Sequence, residues 1–101
     1  MPSEDLYAAR DFESFWAVYE RMHADPRTRR LHAVATTSAM ALVAWGVSRR
    51  KAGPLLLAPL VDHAIAQASH RLIEHNRTTP WRRPGWHLRA ELRLWWRTIT
   101  A

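Results

Sequence analysis

Three residues in the second half of the chain fall on one helical face. His63, His70 and Glu74 stand seven and four positions apart, spacings that a helix brings to one side. His23 and His32 flank Asp25-Pro26, so each lies within about two turns of that corner. If the helix bearing His70 folds back antiparallel onto the helix that begins at Pro26, His70 and Glu74 arrive beside His23 and His32. Several imidazoles and a carboxylate then gather at one end of a bundle. Imidazole suits iron, zinc, copper and nickel, and two histidines with one carboxylate on one face of a metal suit non-haem Fe(II) with positions open for dioxygen and substrate. No HExxH or other named metal motif occurs. His70 and Glu74 also read as a helix-surface pair, with Glu74 reaching Arg71 or Arg77. Spacing alone leaves both readings open. His75 and His87 read as solvent-facing or interfacial and take no role.

Other chemistries are narrowed by what the chain lacks. It has no cysteine, which removes disulfides, thiolate metal sites and cysteine nucleophiles. No glycine-rich phosphate loop or nucleophile elbow appears, and 101 residues are too few for a dinucleotide-binding unit. Asp62 stands in an apolar context, where near a membrane an ionisable group is a functional candidate. Its plainer reading is an ion pair with Arg49 or Arg50. The net charge of +6 suits an anionic membrane surface or a nucleic acid without separating them. In the last helix arginines alternate with tryptophans, but Trp95 and Trp96 extend a leucine stripe, which favours core or membrane-interface packing over a base-stacking platform.

The elements that must position these residues are helical. Three glycines and six prolines punctuate the chain sparsely, as expected of a few long helices in one domain. Residues 1–10 read as a loose acidic leader without the features of a cleavable signal. Phe12, Phe15, Trp16, Tyr19 and Met22 recur at helical spacing and predict an amphipathic helix over 11–24, capped by Asp11. Asp25-Pro26 caps and opens the next helix, predicted over 26–50. Its uncharged stretch from Ala33 to Ser48 gives roughly 24 Å of helix, a marginal membrane span. A basic turn containing Gly53 leads into a second apolar helix over 54–76. Leu88, Leu92, Trp95, Trp96 and Ile99 predict an amphipathic helix over 86–99, with Arg89, Arg93 and Arg97 on its other side. The fold expected is all-α: a membrane-associated hairpin flanked by two amphipathic helices. The larger basic cluster lies on the side of the termini, which places them in the cytoplasm.

Several blocks then occur in a fixed order: Phe12-x-x-Phe15-Trp16-x-x-Tyr19-x-x-x-His23, Arg29-Arg30-Leu31-His32-x-x-x-Thr36, Leu57-Ala58-Pro59, Ser69-His70-x-x-x-Glu74-x-Asn76-Arg77 and Trp86-His87-Leu88-Arg89-x-Glu91. Through them the chain resembles the family of small membrane proteins typified by the fungal 2-hydroxy-fatty-acid (2-hydroxypalmitate) dioxygenase of α-oxidation, and looks like a short bacterial member. The resemblance runs from about Phe12 to Trp95. It implies a helical protein of the bacterial inner membrane that holds Fe2+ with histidines and oxidises a lipid-like 2-hydroxy acid with dioxygen, shortening it by one carbon. Carried over residue by residue, it implies His23, His32 and His70 as iron ligands, with Glu74 as a further ligand or as an orienter of an imidazole. Arg77 or Arg30 would then pair with the substrate carboxylate. His63 inherits no role. Departures fall at Ala35 and Ser69, where the family usually has glycine, and at Thr78-Thr79, where it has Pro-Ala; they bear on substrate identity. A non-catalytic membrane-interface protein is the alternative. A nucleic-acid partner is not expected, and a second copy of the chain is a candidate partner for the polar face of so short a hairpin.

Overall fold

A computed structural model describes residues 3–76 and 78–101. The described residues form helices and turns without a strand. In order they are α1 (Ser3–Tyr7), α2 (Phe12–Arg21), α3 (Pro26–Arg49), α4 (Ala52–Ser69), a π-helical turn (His70–Glu74), a short 3-10 turn (Pro80–Arg82) and α5 (Pro84–Ile99). The all-α expectation is met.

Local chemistry fixes the boundaries. Asp11 accepts the Ser14 N–H at 2.7 Å and starts α2. Asp25 does the same for Arg27 at 2.8 Å, with Pro26 in the first turn, where its missing N–H is not needed. The turn between α3 and α4 does not use Gly53, as the sequence suggested. Arg50 itself takes the left-handed conformation, and the Lys51 N–H closes the helix end on the Gly46 carbonyl at 2.9 Å. Gly46 serves a different purpose there, because a Cβ on it would meet Leu55 Cγ at 2.7 Å. Its absence lets α4 start close against α3.

The apolar core lies between α1, α2 and α5, where Leu6, Phe15, Met22 and Leu94 are fully buried. The leader therefore differs from expectation: Leu6, Tyr7 and Ala9 are part of this core. The face of α5 is also reversed. Leu88, Leu92, Trp96 and Ile99 point outward, while His87, Ala90 and Leu94 face in. The reason is aromatic. Arg89 and Arg93 lie over the Phe12 ring and Arg93 and Arg97 over Trp16, so these arginines clamp α5 to α2 and are not a free cationic face.

The α3–α4 hairpin extends beyond this core and carries apolar side chains outward, among them Val43, Trp45, Val47, Leu56 and Leu60. Among the described residues, α3 is the helix long and apolar enough to cross a membrane. Folding α4 back along α3 returns the π-helical turn to the Asp25-Pro26 corner, where the Asp25 N–H donates to Glu74 Oε1 at 2.8 Å.

Candidate metal centre

At that corner three histidines meet. His23 follows the end of α2, His32 sits in the second turn of α3, and His70 opens the π-helical turn. All three are buried, and one nitrogen of each lies within 4.8 Å of those of the others. Ring centroids are 4.3 Å apart for His23 and His32, 4.5 Å for His23 and His70, and 5.3 Å for His32 and His70, every pair close to perpendicular. This is convergence of edges toward a shared point, not stacking.

The tautomers of two rings follow from their partners. His23 Nδ1 lies 2.6 Å from the Tyr19 carbonyl, which only accepts, so Nδ1 carries the proton and Nε2 the lone pair. Tyr19 also stacks on the His23 ring at 4.1 Å. His70 Nδ1 lies 2.6 Å from Asn76 Oδ1, and Asn76 Nδ2 donates to the Met22 carbonyl at 3.2 Å. That second bond fixes the amide orientation, so the His70 Nδ1 proton is donated and its Nε2 is left bare. A histidine whose distal N–H is held by a carbonyl or amide oxygen is the usual preparation of an imidazole for a metal.

Two of the inward nitrogens, His23 Nε2 and His32 Nε2, are buried with no hydrogen-bond partner among the described residues. A buried polar atom without a partner is costly and uncommon in a folded protein. A metal ion accounts for both at once, and three neutral imidazoles suit a divalent transition ion. Burial holds the His23 imidazole well below its usual value, with His32 and His70 close by adding to the effect. Burial lowers His70 as well, opposed by its bond to Asn76 and by nearby Glu74. The rings are therefore neutral and able to ligate at physiological pH.

The remaining expected site residues are distributed differently. Glu74 ends the π-helical turn with its carboxylate on the Asp25 backbone, and the close group consists of the three histidines. Arg30 is exposed, and Arg77 lies outside the described residues. His63 is exposed on α4, with its ring 6.4 Å from Trp81.

A cavity of about 420 Å³ opens beside His32 and His70 between α3, α4 and α5. Its far walls are apolar, with Pro59, Leu60, Ala66 and Trp81 among them. Gln67 reaches across to the Thr78 hydroxyl at 2.9 Å. Asp62, expected beside Arg49 or Arg50, instead lies against Glu91 on the cavity wall, and Thr36 donates to Glu91 Oε2 at 2.8 Å. Burial, then the Asp62 carboxyl hydrogen-bonded beside it, push Glu91 up to about 8. His87, given no role from the sequence, is buried and lines the same cavity. The Tyr7 hydroxyl takes the Thr79 N–H at 2.6 Å and shares a hydrogen bond of 2.8 Å with His87 Nε2. The signals for Asn76, Glu91 and His87 were present in the blocks quoted above, but only the fold shows what each side chain touches.

Comparison with known proteins gives a single kind of match. A family model described as 2-hydroxy-palmitic acid dioxygenase Mpo1-like matches residues 9–101. No curated protein and no solved structure matches.

Proposed function

The chain belongs to the Mpo1-like family, and from that premise we propose that His23, His32 and His70 hold Fe(II) for the oxidation of a 2-hydroxy fatty acid by dioxygen. The observation that supports this most is the pair of buried, partnerless Nε2 atoms on His23 and His32, facing a third ring whose distal proton is already taken by Asn76. Fe(II) bound by three imidazoles would offer its remaining positions to dioxygen and to the hydroxyl and carboxylate of the acid. Net, a 2-hydroxy acid and one dioxygen would give the acid one carbon shorter, carbon dioxide and water.

The chain's own groups prepare that site. Tyr19 and Asn76 fix the tautomer and orientation of two imidazoles, while burial keeps them neutral. Glu74 ties the π-helical turn to the start of α3, so that His70 and His32 keep their relation; its role is positioning. The cavity borders His32 and His70 and presents apolar walls to a hydrocarbon. Arg30, exposed near the start of α3, would guide the acid's carboxylate toward the corner, a role the sequence also offers to Arg77. The outward-facing leucines, valines and Trp45 of the hairpin suit the hydrocarbon of a membrane, with the basic termini side in the cytoplasm.

Incubating iron-loaded protein with 2-hydroxyhexadecanoic acid under air, and following the shortened acid by mass spectrometry, tests this function. Product from the wild type and none from His70→Ala of unchanged helicity is expected. No product from iron-loaded wild type with any 2-hydroxy acid moves the reading to a non-catalytic membrane-interface protein.

A further inference from the structure

The cavity beside the histidines shares a wall with a second space. Leu60 lines this cavity and also a second, apolar groove at the hairpin tip, formed with Trp45, Gly53, Leu56 and Leu57. Of the residues on α4 and the π-helical turn that border the two spaces, His70, Gln67, His63, Leu60, Leu56 and Gly53 stand at three- and four-residue steps, with Pro59, Asp62 and Ala66 beside them. That is a single stripe of one helix. It is graded in chemistry: polar from His70 to His63, hydrocarbon from Leu60 onward. From His70 to Gly53 it spans about 25 Å of helix, the reach of a long acyl tail and well beyond a short one.

We infer that this stripe is the acyl-chain track of the protein: the head of a long-chain 2-hydroxy acid lies at the histidines and its tail runs along α4, past Leu60, to the groove beside Trp45. The track rests on the proposed function for the identity of the head group, but its existence does not depend on catalysis. The polar-to-apolar grading fixes the direction, because a tail laid the other way would put its methyl end on Gln67 and strand the carboxylate among leucines. The groove commits to this occupant because it meets the histidine cavity at Leu60, a junction that packing against a second copy would not require. Chain-length preference therefore follows from how far the stripe stays open. Leu60 is its junction, and it is 66% exposed, so a larger side chain there obstructs the track without disturbing the core.

A 2-hydroxyhexadecanoic acid carrying a diazirine at its methyl end tests the track without turnover or iron. Protein in lipid nanodiscs is photolysed with this probe and the adducts are mapped by mass spectrometry. Expected are adducts on Trp45 and on residues 53–57, displaced by excess unlabelled 2-hydroxyhexadecanoic acid. In Leu60→Trp these adducts are lost, while an equally exposed change off the stripe, Leu88→Trp, leaves them in place. Adducts spread over all outward apolar faces, adducts that excess acid does not displace, or adducts unchanged in Leu60→Trp overturn the inference. The two proposals fail separately. A specific, displaceable adduct with no oxidation removes the dioxygenase reading alone. Oxidation of 2-hydroxy acids with no localised adduct removes the track alone.

Discussion

Asn76 lies six residues beyond His70, yet its amide oxygen sits 2.6 Å from the His70 Nδ1. An ordinary helix would carry position 76 away from the ring. The π-helical turn His70–Glu74 and the left-handed His75 that ends it bring Asn76 back, and the Asn76 N–H closes on the His70 carbonyl at 2.9 Å. A single residue thus closes the turn, fixes the tautomer of His70 and, through the Met22 carbonyl, ties it to the segment bearing His23.

Asn76→Ala should therefore weaken metal binding by about 10–100-fold while the protein remains helical. Asn76→Asp keeps an acceptor for Nδ1 and should retain more affinity than the alanine variant. Competition against a chelator of known affinity measures both. Equal affinity in wild type and Asn76→Ala would show that the amide has no part in preparing His70.

The carboxyl pair on the cavity wall predicts a pH dependence of folding. Glu91 is held at about 8 in the folded chain against 4.5 for the free group. Between those values the folded state binds more protons than the unfolded state, so Glu91 lowers stability as pH rises through the window. Glu91→Gln should flatten that fall. Urea midpoints of both proteins across the window decide it, and parallel curves would rule out the assignment.

The histidines act in the opposite direction at lower pH. Burial depresses His23 and His70 in the folded state, so the unfolded chain takes up protons first as pH falls through about 6.5. Metal-free protein should lose stability on acidification below that point, and bound metal should be released over the same range. Metal retention that does not change with acidity would contradict neutral imidazole ligands.

Tyr7 joins α1 to two elements of the cavity by accepting from the Thr79 backbone and hydrogen-bonding buried His87. Tyr7→Phe leaves both groups without this partner, and a loss of about 1–3 kcal/mol is expected. Thermal or urea unfolding measures it. Because Leu6 and Tyr7 are core residues, removing residues 1–10 should cost more than this single change.

Much of this architecture is legible in the sequence because it is local. Asp11, Asp25 and Pro26 mark helix starts through their own side chains, and the Phe12–Met22 spacing marks a buried face. The antiparallel return that brings His70 to His23 and His32 follows from the hairpin alone. What was not legible depends on partners distant in sequence. The leucine stripe of α5 reads as a core face, but it is the arginines beside it that lie on Phe12 and Trp16 of α2, and the leucines point outward. The first ten residues look like a leader until Leu6, Tyr7 and Ala9 join the core that holds Phe15 and Leu94. Glu74 shares a face with His70 on an ideal helix, but the π-helical turn widens the backbone there and delivers the carboxylate to Asp25. Asp62 meets Glu91 because α5 packs on α3, alongside the partner helix α4, at a place that no spacing along the chain specifies.

The central claim is that His23, His32 and His70 form a metal centre, and metal content tests it most directly. Protein purified in detergent, loaded anaerobically with Fe(II) and freed of excess is analysed beside His23→Ala, His32→Ala and His70→Ala, with helicity checked by circular dichroism. Stoichiometric iron in the wild type, lost in each of the three variants at unchanged helicity, is the result predicted. A wild type without iron, or iron retained in all three variants, would contradict it and leave the histidines as packing residues.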